Sequence, residues 1–185
     1  MPEPPPASRR IDATRNRAQI LDAARSAFAD PDADVSMAQV ARRAGVGSAT
    51  LYRNFANRRE LLEALYVDEI DAVCAAAATL DGGSPGVVLV AWLRRFYAYF
   101  SSKRFVAAEL LQHTDREDPV FGAGYARVTA AGRPLLLAAQ GSGEVTEALT
   151  LEQVLDMIAA VARIPGTDAY RTPILETALA SLSRG

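Results

Sequence analysis

The stretch that decides the fold runs from Met37 to Phe55, MAQVARRAGVGSATLYRNF. Met37, Val40, Ala41 and Ala44 recur at helical spacing, and Ser36 stands where such a helix wants an N-cap. Gly45-Val46-Gly47 then supplies a residue for a left-handed turn and an apolar plug. A third helix is expected from Ser48 to about Phe55, burying Leu51 and Phe55. Two short helices around a tight glycine turn predict a helix-turn-helix unit, whose second helix is shaped to enter a DNA major groove. Ala41 and Ala44 allow close approach, while Val46 and Leu51 lock the pair onto the preceding helix. The outward positions are Gly47, Ser48, Ala49, Thr50, Arg53 and Asn54, all small or polar. Such a face can approach base edges without obstruction. An ordinary helical hairpin would rarely carry so many flanking arginines.

Upstream, Ile20, Leu21, Ala24 and Phe28 form one apolar stripe, so a first helix is expected from Thr14. Asp30-Pro31-Asp32-Ala33-Asp34 ends it with turn chemistry. Residues 1–12, Pro-rich and then basic, read as a disordered arm. Downstream, Asn57 and Glu60 are spaced as a capping box for a long fourth helix through about Leu80. The clearest break follows at Asp81-Gly82-Gly83-Ser84-Pro85. Further helices are expected at about 86–101, 104–113, 119–140, 151–163 and 169–183. Gly141-Ser142-Gly143 and Pro165-Gly166 mark two joins, and Thr150 with Gln153 makes another capping box. No segment alternates with period two for long enough to be a strand. The expected fold class is all-α with about nine helices: a helix-turn-helix domain at 13–57 and a larger helical domain at 58–185.

Composition narrows the chemistry. Residues 1–60 hold ten arginines against seven acids, whereas residues 61–185 hold ten basic and fifteen acidic residues. A basic head on an acidic body points to a polyanion met by the head alone. The single cysteine, Cys74, excludes a disulfide framework and a Cys-based zinc site, and reads as inert helix packing. The single histidine, His113, excludes any mechanism needing two imidazoles. The acidic clusters Asp68-Glu69-Asp71 and Asp115-Glu117-Asp118 lack metal-ligand spacing. No enzyme activity, catalytic residue, metal or cofactor is therefore expected. The opening MPEPPPASRR lacks the apolar core of a signal peptide, and apolar runs such as Gly86–Leu93 stop at Arg94 and Arg95. A soluble cytoplasmic chain is expected, nucleoid-associated when DNA-bound and without a membrane partner. Arginine accounts for all the basic residues but Lys103, beside frequent alanine, which suggests a GC-rich coding genome and a bacterial source.

The stretch Arg17–Leu62 resembles the DNA-binding domain of the TetR family of bacterial transcriptional regulators. The resemblance rests on Ile20-Leu21-Asp22-Ala23-Ala24, Phe28, Val40-Ala41-Arg42-Arg43-Ala44-Gly45-Val46, Thr50-Leu51-Tyr52-Arg53-Asn54-Phe55 and Arg58-Arg59-Glu60-Leu61-Leu62. Trp92-Leu93-Arg94-Arg95-Phe96 with Ser102-Lys103-Arg104 is similar to the SbtR-like subgroup of C-terminal domains. The resemblance implies that Tyr52 packs along the DNA backbone with its hydroxyl on a phosphate. It implies a phosphate at Arg58, where side chain and helix N-terminus both favour an anion. Ser48 and Thr50 match positions that touch bases or phosphates, and Ser36 matches a cap that also meets the backbone. Asn54 stands where the family usually has His, which leaves a phosphate contact with altered geometry. Met37-Ala38 replaces the Thr-Arg of some members, which removes a base contact. Arg53 can reach a guanine or a phosphate. Arg17, with Arg9, Arg10 and Arg15, is placed to enter an adjacent minor groove or to lie along the backbone.

The same resemblance implies that residues 58–185 form an effector-binding and dimerisation body. Trp92, Phe96 and Phe100 share a helix face and are the best ligand-wall residues, with Phe105, Phe121 and Tyr125 behind them and His113 as a polar anchor. The alternative for each aromatic is plain core. The last two helices are expected to make a homodimer through Val154, Leu155, Ile158 and Val161 and through Ile174, Leu175, Ala178, Leu179 and Leu182. Two heads would then read the half-sites of a palindromic double-stranded operator, about 34–36 Å apart. The expected function is a homodimeric repressor released by a small hydrophobic or amphipathic effector. The alternative is a DNA-binding regulator without an effector, acting as an activator or under a protein partner.

Overall fold

Among the described residues, eight helices follow one another in a computed structural model: α1 (Pro6–Ala27), α2 (Met37–Arg43), α3 (Ser48–Asn54), α4 (Arg58–Thr79), α5 (Pro85–Leu111), α6 (Pro119–Gly141), α7 (Leu151–Arg163) and α8 (Asp168–Ala180). The structure describes residues 6–28, 35–111 and 119–184, the side chains of 6–13 and 102–111 excepted. The fold is all-α. Among the described residues the one β feature is an isolated antiparallel bridge between Val145 and Ser183. The chain forms two compact units. One comprises the first 66 residues with the end of α5 from Phe105, the other Val67–Arg104 and everything from α6 on.

Two boundaries differ from expectation. Residues 6–12, read as part of a disordered arm, are the opening turns of α1. Pro6 sits at the first helical position, where its fixed φ and missing N–H are harmless, and no second breaker follows it. The expected helices at 86–101 and 104–113 are one helix, α5. Ser102-Lys103 contains neither glycine nor proline, so nothing local ends the helix there. The count therefore falls from nine to eight.

In the first unit, Ile20, Leu21, Ala24, Ala27 and Phe28 of α1 meet Val40 and Ala41 of α2, Leu51 and Phe55, and the opening turns of α4 at Leu61, Leu62 and Leu65, all buried. The starts of α2 and α4 are satisfied by side chains nearby in sequence. Ser36 Oγ accepts from the Gln39 amide at 3.2 Å, and Gln39 Oε1 accepts from the Ser36 amide at 2.7 Å. Asn57 Oδ1 accepts from the Glu60 amide, while Glu60 reaches back to the Ala56 amide rather than to that of Asn57.

The second unit is organised around Trp92, which is fully buried. Its indole Nε1 donates to the Val73 carbonyl of α4 at 3.1 Å, and its ring lies over Gly132 of α6. Burying a ring of this size contributes roughly 3 kcal/mol or more, against about 1 kcal/mol for the hydrogen bond. Burial therefore holds the ring in the core, and the hydrogen bond sets its rotation. A Cβ built at Gly132 would overlap the ring, so the absent side chain is a packing requirement. Arg171 is buried in α8 and donates to the carbonyls of Ile164 and Gly166 and to Asp168, tying down the turn from α7 to α8. Thr150 and Gln153 cap α7 reciprocally.

The start of α5 carries an internal anion. Glu144 accepts hydrogen bonds from the Ser84 hydroxyl, from the Ser142 hydroxyl at 2.8 Å and from the Gly86 amide at 3.3 Å. The chain end pairs with the same turn: the Arg184 amide donates to the Glu144 carbonyl and the Thr146 amide to the Leu182 carbonyl. The Ser84 hydroxyl is the largest influence holding the Glu144 carboxyl below its ordinary value, followed by the Ser142 hydroxyl.

Two stability tests follow from this packing. Gly132→Ala should destabilise by about 1–3 kcal/mol through overpacking, read by urea unfolding with Trp92 fluorescence. Glu144→Gln should lower Tm at pH 7 by a few degrees. Because the folded Glu144 is the stronger acid, its contribution is complete above the unfolded value near 4.5 and is lost as pH falls through the lower folded value. The Tm gap between wild type and variant should therefore close in acid. A gap that stayed constant down to pH 3 would mean that the ionised carboxylate has no part in it.

Candidate nucleic-acid interface

Ala44 ends α2, and Gly45 reverses the chain with φ +66°, a left-handed conformation that costs a residue with a Cβ but is open to glycine. The Val46 amide donates to the Ala41 carbonyl at 3.0 Å and the Gly45 amide to the Arg42 carbonyl at 3.2 Å, the paired bonds of a Schellman turn. Space around the Gly45 α-carbon is open, so the demand there is conformational alone. Gly47 then caps α3 without a side-chain bond, while Leu51 and Phe55 are completely buried beneath it.

With those two anchored, α3 turns Gly47, Ser48, Ala49, Tyr52 and Arg53 to solvent and leaves Thr50 and Asn54 half-buried. Tyr52 is 52% exposed, whereas the nearby rings Phe28 and Phe55 are buried, so it is not a core aromatic in the protomer. Arg53 lies back along its own helix: Nε donates to the Ala49 carbonyl at 3.2 Å and a terminal nitrogen to Thr50 Oγ1 at 3.0 Å. Asn54 donates to the Thr50 carbonyl at 2.8 Å. Ser36 is exposed with its oxygen engaged in the cap, and Arg42 and Arg43 of α2 are exposed beside it in sequence.

Two arginines assigned to DNA from the sequence are engaged within the protein. Arg58 donates to the Val35 carbonyl and stacks over the Phe28 ring at 5.0 Å, pinning the chain between α1 and α2 to the start of α4. Arg17 stacks over the Phe55 ring at 4.5 Å and points toward the Asn54 carbonyl at 3.5 Å, placing a cation at the C-terminal end of α3. Arg17 remains solvent-exposed; Arg58 is half-buried. The resemblance carried residue types onto these positions but could not show the two rings, Phe28 and Phe55, that hold the guanidiniums. The expectation for Ser36 as a cap also lacked its Gln39 half, which the spacing Ser36-x-x-Gln39 of a capping box carries.

Residues 20–65 match the family described as "Bacterial regulatory proteins, tetR family". Residues 84–183, more than half of the chain, match "Transcriptional regulator SbtR-like, C-terminal domain". The chain belongs to the TetR family. A TetR transcriptional regulator from Streptomyces coelicolor is 30% identical over 90% of this chain and 98% of its own, with a TM-score of 0.73. One from Mycobacterium vanbaalenii is 27% identical over 95% of this chain and 99% of its own, with a TM-score of 0.76. FadR from Bacillus subtilis, solved with stearoyl-CoA, shares the fold at 16% identity and a TM-score of 0.59, over 89% of this chain and 98% of its own. No curated protein matches the sequence. This TetR-family protein is thus a DNA-binding transcriptional regulator and not an enzyme.

The structure sorts the aromatic residues of the regulator's body. Trp92 and Phe96 are core, sealed at 0% and 3% exposure, and so cannot act as open ligand walls in this conformation. The ring sequence continues outward, with Phe96 and Phe100 at 4.7 Å and Tyr99 against the edge of Phe100 at 5.1 Å. Phe100 and Phe121 are half-buried, Tyr125 is exposed, and the Arg163 guanidinium lies 5.9 Å from the Phe100 ring centroid. The Phe105 side chain, His113 and the Asp115-Glu117-Asp118 cluster lie outside the described residues. Among those described, no helix is long and apolar enough to cross a membrane, and no group of three His, Cys, Asp or Glu could hold a metal.

Most of the residues expected at a dimer interface lie inside the protomer. Val154, Leu155, Ile158, Val161, Leu175, Leu179 and Leu182 are buried within the protomer. The most apolar stripe of each terminal helix faces its own core, where it buries most surface. Of the residues expected to face a partner, only Ile174 and Ala178 keep partial exposure. Tyr170, 61% exposed, continues their face of α8 one turn earlier, and Met157, Ala160 and Ile164 keep exposure on α7.

The inward setting of Arg58 has a measurable consequence. Arg58→Gln should lower stability by about 1–2 kcal/mol, from one ring contact and one hydrogen bond. The slope of log affinity for DNA against log salt should stay at its wild-type value. A slope reduced by about 1 with unchanged stability would restore the phosphate role.

Proposed function

We propose that the chain is a homodimeric repressor that binds a palindromic operator through two copies of α3 and leaves it when a small hydrophobic or amphipathic molecule binds the body. The observation that carries the DNA part is the outward face of α3, small or polar from Gly47 to Arg53 and presented by a turn that admits no slack. Ser36, Ser48, Thr50, Tyr52, Arg53 and Asn54 are its contact residues, with Gly47 and Ala49 letting the helix sit close to the bases. Arg17 acts from behind α3 by holding its C-terminal end.

Dimerisation through the uncovered face of α8 is supported by its chemistry. Tyr170, Pro173, Ile174, Thr177 and Ala178 carry no charge, and Glu176, the acid among them, pairs with Arg94 of α5 in the same protomer at 2.7 Å. Met157, Ala160 and Ile164 extend that surface along α7. In the body, Phe100, Phe121 and Tyr125 are rings left partly open away from α8, and they are the wall we assign to an effector. The helix α4 begins in the DNA-binding unit and ends in the body. An effector that prefers one setting of α4 therefore changes the setting of the heads, and a few kcal/mol of preference empties an operator. A regulator without an effector is the second reading, favoured by the sealing of Trp92 and Phe96.

The test uses fluorescence anisotropy against upstream and scrambled DNA at two salt concentrations, with sedimentation in parallel. Wild type should sediment at twice 19.8 kDa and prefer one DNA at both salts. The double variant Tyr170→Glu with Ile174→Glu should sediment as a monomer and lose that preference, since one half-site alone binds weakly. A double variant that stays dimeric would refute the α8 face. Hydrophobic small molecules should raise Tm and release DNA in the same assay; a panel that does neither supports the effector-free reading.

A further inference from the structure

The outward face of α3 holds one side chain with more than one donor group. Gly47 and Ala49 offer none, Ser48 and Thr50 offer a hydroxyl each, and Asn54 already donates its amide to the Thr50 carbonyl. Tyr52 ends in a single hydroxyl. Arg53 is exposed, and its guanidinium is drawn back one turn, docked on the Ala49 carbonyl and Thr50 Oγ1. Although its α-carbon lies in the last turn of α3, its charged head is carried toward the first turn, the part of a recognition helix that meets base edges. The neighbouring arginines do not compete for that place, because Arg17 lies on Phe55 and Arg58 on Phe28.

From this arrangement we infer that Arg53 is the specificity-determining residue of the operator contact and that it reads a guanine in each half-site. The guanidinium edge donates two parallel hydrogen bonds to guanine O6 and N7, a pairing that no other base offers in the major groove. Docking on the Ala49 carbonyl and Thr50 hydroxyl holds the long side chain in one rotamer before DNA arrives. The remaining outward residues then contribute apolar or single-bond contacts, such as the Thr50 methyl on a thymine methyl. A recognition helix with two silent positions, Gly47 and Ala49, thereby concentrates its discrimination at one base pair per half-site. This inference rests on the reading of α3 as a DNA-binding helix.

Selection from a randomised duplex library, followed by anisotropy on the selected site with single-base changes, tests it. Wild type should select a symmetric site with one strongly required guanine in each half. Arg53→Ala should bind that site about 5-fold to 150-fold more weakly per half-site and accept any base there, with an unchanged salt slope. Arg53→Gln is the discriminating variant, because its amide has neither the charge nor two parallel donors and matches adenine N6 and N7 instead. It should lose the guanine requirement in each half-site. An Arg53→Gln protein that still requires the wild-type guanine, with a salt slope reduced by about 1, would overturn the inference and make Arg53 a phosphate contact, with the DNA-binding reading intact. A wild-type protein that enriches no sequence at all would overturn both.

Discussion

The hydrogen bond from the Val46 amide to the Ala41 carbonyl closes the reversal between α2 and α3, and with Gly45 in its left-handed conformation it sets the rotation of α3 about its own axis. Once that rotation is set, Leu51 and Phe55 point into the core, and Tyr52 and Arg53 point out. A residue with a Cβ at Gly45 would resist the required φ, and the helix would lose its aim before it lost its helicity. The DNA-binding face is therefore a consequence of backbone geometry in a few residues, and its side chains are free to vary in chemistry without disturbing the fold.

The arginines of the first unit divide their labour along the same line. Arg17 and Arg58 lie on aromatic rings of the unit, Arg17 at the carbonyl that ends α3 and Arg58 at the Val35 carbonyl between α1 and α2. Arg42, Arg43 and Arg53 face solvent. The positive charge of the head thus has two origins with different sensitivities, since buried or stacked cations respond weakly to salt and exposed ones strongly. A net basic balance read from composition cannot separate the two.

What was legible in the sequence, and what was not, follows the same physics. The helix-turn-helix was legible because helical periodicity on both sides of a Gly-Val-Gly turn admits few alternatives. The start of α1 and the unity of α5 were not, because a proline-rich opening carries no signal for a helix that begins at Pro6 and because Ser102-Lys103 is neutral toward helix continuation. In the terminal helices periodicity reports which face is most apolar, and the protomer buries that face in its own core. The face we propose for a partner is the second one, on α8 Tyr170, Ile174 and Ala178 with their small neighbours, whose signal in the sequence is faint. The aromatic row met a similar limit, since spacing placed Trp92, Phe96 and Phe100 on one side but could not grade their depth.

The fit of the Trp92 ring over Gly132 has a consequence for descent. Neither position can drift alone: a larger residue at 132 collides with the indole, and a smaller one at 92 leaves a void beside a bare backbone. The two positions, one on α5 and one on α6, are therefore under one joint steric constraint, and replacing the indole by a smaller side chain would lift the demand for glycine at 132.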